Sequence, residues 1–264
     1  MGLLRDNHVY SYSQLSSFDE CPYGFYLSKI ERAEQQSNGF AELGTLIHDL
    51  LDQWAKGEVA IEDLPKEYER RYPDEVVTKF PRMLAAKGYA EKAFRQGLEY
   101  FENFDGFEGY TIIAAEERFK TEINGRPFVG VVDMIVRDNT TDELIVLDHK
   151  SKSKTAFKQA EKEMYRQQLL YSKYVYEQYG CWPDRLMFNL FKEGGIKPEK
   201  PFDKNEYDEA IAWATEKIER MEEYDILDWL SSKPEGDFFC HEICSVRQHC
   251  PHGIAAPINK SKKK

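Results

Sequence analysis

No stretch of the 264 residues is apolar for long enough to span a bilayer, and the opening residues, MGLLRDNHVYSYS, lack the long apolar core of a secretory signal. Both absences point to a soluble cytoplasmic protein with no membrane partner. Internal repeats are missing, and the only low-complexity tract is the terminal NKSKKK, so residues 1–253 are expected to form one domain and 254–264 a disordered basic tail. Positive charge is in short supply: 36 Lys and Arg against 47 Asp and Glu leave a net charge of -11. This disfavours non-specific nucleic-acid binding by the whole surface but leaves room for a local basic groove. Cysteines number only five. Without a secretory signal they argue against a disulfide framework and for thiolate ligation or burial.

What is present is a globular composition, 41% hydrophobic and 14% aromatic. FAELGTLIHDLLDQWAKGE places Phe40, Leu43, Ile47, Leu50, Leu51 and Trp54 at helical spacing, an amphipathic helix closed near Gly57. A charged helical insertion follows over about 60–105, with interruptions expected at Pro65, Pro73 and Pro81. YTIIAAEERFKTEI, RPFVGVVDMIVRD and ELIVLDHK then read as three strands in a meander, joined at Asn124-Gly125 and across DNTTD. Ala156 to Gly180 reads as one long helix, DRLMFNLFK as a fourth strand, and Asn205 to Leu230 as a last helix.

The segment GVVDMIVRDNTTDELIVLDHKSK carries two acids and a lysine among apolar residues, and burying such groups is expensive without compensation. If its hairpin is centred between Thr140 and Thr141, Asp133 lies directly across from Asp148. Cross-strand neighbours have Cβ atoms about 5 Å apart. Alternation puts Lys150 on the face of Asp148. Two carboxylates so placed repel and raise each other's pKa unless a divalent cation lies between them. A strand end exposed to water is the bland alternative for any isolated D-x-K, and a one-residue slip would move Asp133 to the other face.

An acid followed after an interval by D-x-K on the next strand resembles the PD-(D/E)XK nuclease motif, met here as Asp133, Asp148, His149 and Lys150. GTLIH resembles the helix motif of that superfamily's RecB-like branch, which places a metal-binding histidine at His48. QQLLYSKYV resembles its Q-x-x-x-Y helix, which places Gln167 and Tyr171 on one face near the lysine. Ordinary helix packing is the competing reading for all three. The resemblance implies an α/β restriction-endonuclease-like core, a mixed sheet flanked by helices, with a helical N-terminal part. It also implies Mg²⁺ or Mn²⁺ held by His48, Asp133, Asp148 and the backbone carbonyl of His149. Lys150 then acts on the attacking water or the developing charge, and Glu117 on the preceding strand is a weaker supporting candidate.

Cys21, in CPYGFYLSKI, and Cys240, Cys244 and Cys250, in FFCHEICSVRQHC, resemble the iron-sulfur staple of AddB-type nucleases and of the exonucleases of CRISPR adaptation. That implies a [4Fe-4S] cluster in a lobe built from Cys21 and 240–250. The spacing C-x3-C-x5-C departs from the family's C-x2-C, and with His241, His249 and His252 nearby Zn²⁺ remains the alternative. Cys181 is expected to pack. The implied function is metal-dependent DNA cleavage, of exonuclease type, on single strands or duplex ends in recombination, repair or phage replication, with a recombination or replication protein as partner. Two rival readings stand beside it: a DNA-binding accessory protein that keeps the fold without cutting, and a zinc-stapled interaction protein.

Overall fold

The computed structural model describes residues 4, 8–231 and 239–251; the expected basic tail and His252 lie outside the described residues. Strands are β1 (Tyr10–Ser11), β2 (Tyr110–Ile123), β3 (Arg126–Asp138), β4 (Leu144–Lys150), β5 (Arg185–Leu190) and β6 (Glu199–Pro201). Helices are α1 (Tyr12–Glu20), α2 (Pro22–Phe25), α3 (Gly39–Ala55), α4 (Leu64–Glu75), α5 (Arg82–Ala85), α6 (Tyr89–Glu102), α7 (Lys154–Gln159), α8 (Glu161–Tyr179), α9 (Lys204–Glu223) and α10 (Ile226–Ser231).

The β2–β3 hairpin turns on Asn124 and Gly125, both at positive φ (46° and 74°), the backbone that Asn-Gly adopts readily. β3 and β4 pair antiparallel from Arg137↔Leu144 to Met134↔Leu147. This is the register of a turn centred between Thr140 and Thr141, and its next step sets Asp133 opposite Asp148. β4 and β5 run parallel, β5 and β6 antiparallel, so the sheet is mixed. The short β1, not anticipated from the sequence, runs parallel to the start of β3 at Phe128 and Val129. Between that contact and Met134, one edge of β3 from Gly130 to Asp133 pairs with neither β1 nor β4, and the sheet opens there.

One sheet face buries Ile135, Val146, Leu186 and Phe188 against Leu169, Leu170 and Val175 of α8 and Ala214 and Ile218 of α9. The other buries Met134, Val136, Ile145, Leu147 and Met187 beneath Phe107 and Trp54, the latter from α3. Burial on both faces explains why β3 and β4 read as nearly continuous apolar runs. α3, α4 and α6 add a smaller core around Leu50, Tyr68 and Phe101.

Three helix boundaries differ from expectation. Pro73 lies inside α4; in the last turn a missing N–H removes a single ladder bond, so the helix continues to Glu75. The long helix breaks at Ala160 (φ -113°, ψ 24°) into α7 and α8, each with its own start. The last helix stops at Glu223 and restarts at Ile226, because Asp225 caps α10 by accepting from the N–H groups of Leu227 and Asp228.

Gly97 in α6 meets Tyr68 of α4, and a methyl there would sit 2.2 Å from the phenol oxygen. On an exposed helix Gly→Ala stabilises by about 1 kcal/mol. Here overpacking reverses the sign, and Gly97→Ala should cost about 1–3 kcal/mol. A urea-unfolding midpoint equal to or above the parent's would refute this packing.

Candidate active site

The sheet opening gathers side chains from five elements, α3, β2, β3, β4 and α8. α3 begins at Asn38, whose side-chain oxygen accepts from the N–H groups of Phe40 and Ala41. Its apolar stripe is buried through Leu43, Ile47 and Leu50, which leaves His48 at the stripe's edge with Nδ1 3.5 Å from Asp133 Oδ2. Gly44 is not demanded by packing, since an added Cβ would meet Ser151 Oγ at an ordinary 3.9 Å.

His48, Asp133 and Glu116 each offer an atom within 4.8 Å of the others, a donor set suited to a divalent cation. Glu116, and not the Glu117 expected from the sequence, joins this group. Glu117 lies instead near Tyr174 and Tyr179 on the α8 side. Turn counting would have found the right residue: pairs flanking the Asn124-Gly125 turn, such as Glu117↔Val132 and Ala115↔Met134, place Glu116 across from Asp133. The backbone of Glu116 is left-handed, φ 45°, a rare and strained conformation for glutamate. Burial, and next the charge of Asp133, push its carboxyl above the usual range.

Asp148, expected to share a cation with Asp133, is absent from that three-residue group. It is only 4% exposed. Lys150 Nζ donates to its Oδ1 at 3.0 Å and stands 2.7 Å from Oδ2, which is buried without a hydrogen bond of its own. This carboxylate, ion-paired to Lys150 and close enough to Asp133 to feel its charge, has the chemistry of a metal ligand supplied from β4.

The Lys150 ammonium donates also to Gln167 Oε1 at 3.2 Å, and Gln167 Nε2 donates to the Tyr171 phenol at 3.3 Å. The helix face 167/171 therefore supports the lysine. Gly130 makes room for this: a side chain there would strike Phe119 and come within 2.9 Å of Tyr171. The backbone N–H of His149 donates to Asp133 Oδ2 at 2.8 Å. Its ring is buried elsewhere, with Nδ1 accepting from Asn189 at 3.0 Å and its edge toward His48. Burial pushes that imidazole down to about 3, so it is neutral. The site opens to a groove of about 620 Å³ lined by Gly44, His48, Asp52, Glu116, Arg118 and Ser151 among others.

Desolvation raises the Asp148 carboxyl to about 6 despite the opposing pull of Lys150. A raised folded pKa contributes stability that is complete below the ordinary value near 4 and is lost as pH rises through about 6. In metal-free protein the melting temperature of Asp148→Asn should therefore gain on the parent as pH climbs from 4 to 7. A difference that stays flat over this window would contradict a strained carboxylate.

The model of the PD-(D/E)XK nuclease superfamily matches residues 9–251. Similar solved structures include a protein from Eubacterium rectale provisionally described as an exonuclease, 14% identical, TM-score 0.47, covering 81% of this chain and 80% of that one. The protein SSO0001 is also 14% identical, TM-score 0.31, covering 78% and 95%. No curated protein matches the chain. Among the described residues no helix is long and apolar enough to cross a membrane. With its match running from β1 to the last described residue, the chain belongs to the PD-(D/E)XK nuclease superfamily.

Proposed function

We propose that the chain is a divalent-metal-dependent deoxyribonuclease of the RecB-like branch, an exonuclease that acts on single strands or duplex ends in recombination, repair or phage replication. One observation carries this reading: Lys150 is held between Asp148 and Gln167, while Asp148 in turn neighbours Asp133 of the His48–Glu116–Asp133 group. His48, Glu116, Asp133 and the Asp148 carboxylate would hold Mg²⁺ or Mn²⁺, with the imidazole favouring the softer Mn²⁺. When bound, such a cation polarises the scissile phosphate and makes an attacking water more acidic. Lys150, whose ammonium form is favoured by Asp148 and Asp133 against the opposing effect of burial, directs a proton donor at that water or at the phosphate oxygens. Gln167 keeps the ammonium in place, and Tyr171 orients Gln167. His149 holds Asp133 through its backbone.

We also assign Cys21, Cys240, Cys244 and Cys250 to a [4Fe-4S] cluster. Cys21 feels the charge of all three others, so the two ends of the chain converge, and Gln36 N–H donates to the Ser245 carbonyl at 2.8 Å. Burial pushes the Cys21 and Cys244 thiols up, a desolvation that a bound cationic centre would offset. Zinc with Zn–S of about 2.3 Å would draw sulfurs to about 3.8 Å of one another. The metal content of the purified protein distinguishes zinc from an iron-sulfur cluster on these thiolates.

The test is anaerobic purification followed by incubation with end-labelled single-stranded and duplex DNA, with and without Mn²⁺. Progressive shortening that requires the metal is expected. Binding without cutting would replace this reading with the accessory-protein role.

A further inference from the structure

A second cleft, of about 760 Å³, lies beyond the catalytic lysine between α8 and α9. Arg166, the residue before Gln167, places its guanidinium carbon 4.3 Å from the centre of the Trp213 ring. Among the described residues its five N–H donors meet no hydrogen-bond acceptor and no carboxylate. Stacking holds the fork in one orientation and leaves its donors free, the preorganisation that suits a phosphate.

Tyr12 connects the cleft to the catalytic centre. Its ring lies 6.0 Å from Trp213, its hydroxyl donates to the Glu163 carbonyl at 2.7 Å, and it feels the charges of both Arg166 and Lys150. At the rim Lys158 is exposed, with no ion pair among the described residues. Lys162 and Lys200 are held by Glu209 and Glu206. Glu161, Glu163, Glu206 and Glu209 line the cleft as well; Arg166 and Lys158 are its cations without an ion pair among the described residues, and Lys150 and Tyr171 sense the cleft through Tyr12.

We propose that this cleft is a flanking-phosphate subsite. Arg166, held over Trp213, takes a phosphate of the substrate strand next to the scissile one, and Lys158 guides the backbone along it. The proposal rests on the nuclease reading of the catalytic site, and strand binding separates the two.

The experiment measures fluorescence anisotropy of an internally labelled single strand, with or without a terminal phosphate, on Asp148→Asn protein, which is expected to keep strand binding with cleavage strongly reduced. Adding Arg166→Ala should weaken binding about tenfold and lower the slope of log Kd against log salt by about one. Adding Lys158→Ala, on an exposed side chain that cannot unfold the domain, should weaken it about threefold. Equal losses on both strands identify an internal phosphodiester as the ligand; losses confined to the phosphorylated strand identify a terminal phosphate. Unchanged affinity and salt slope in both variants overturn the subsite and leave the nuclease reading standing. Failure of the Asp148→Asn parent to bind any strand overturns the nuclease reading and the subsite with it.

Discussion

Asp148→Asn should lower Mn²⁺-dependent cleavage of end-labelled DNA by about a hundred- to thousandfold and leave strand binding nearly intact. Asn keeps the shape of the side chain and an oxygen for the Lys150 ammonium, which donates to Asp148 at 3.0 Å. It removes a charge that supports the protonated lysine and that would hold a cation beside Asp133. Lys150→Ala should reduce cleavage comparably, but calorimetry should still detect Mn²⁺ binding, because the lysine touches no member of the His48–Glu116–Asp133 group through a hydrogen bond or ion pair. The two variants thus separate loss of the metal from loss of the proton donor. Wild-type cutting by Asp148→Asn would sink the assignment.

Cys21→Ala and Cys244→Ala should each abolish the brown absorbance of anaerobically purified protein and lower its melting temperature together. The coupling follows from where the thiols sit. Cys21 caps α2, its sulfur accepting from the Gly24 N–H at 3.2 Å. α2 packs on α10, where the Phe25 ring stacks on fully buried Trp229 at 5.5 Å. Cys244 follows far along the chain, and the carbonyl of its neighbour Ser245 accepts from the Gln36 N–H. If the four thiolates share a metal centre, losing one would loosen both segments, because a structural metal centre contributes directly to folding. Full iron content in both variants would remove these cysteines from the ligand set, while zinc in place of iron would favour the zinc alternative.

Much of the site was legible because strands obey a period of two and turns set the origin. Counting from Thr140-Thr141 placed Asp133 opposite Asp148, and the observed pairs have that register. The same counting from Asn124-Gly125 leads to Glu116, so this residue too is legible in the sequence. The breaks at Ala160 and after Glu223 were different. Ala160 is an ordinary helix former, and the helical pattern of the sequence runs through it. The pairing of β1 with β3 was equally hidden, since two residues form too short a run to show alternation.

The sequence by itself determined the strands of the meander, their register and hence which acids face each other, because those follow from local turn chemistry and side-chain alternation. Only the tertiary structure decided how the charges divide: Asp148 toward Lys150, Asp133 toward His48 and Glu116. Carboxylates on one strand edge have several partners within reach, and the choice depends on where α3 and α8 dock. Those positions are set by buried apolar contacts between residues distant in sequence, Trp54 of α3 on one sheet face and Leu169 and Leu170 of α8 on the other. Such packing has no periodic signature along the chain.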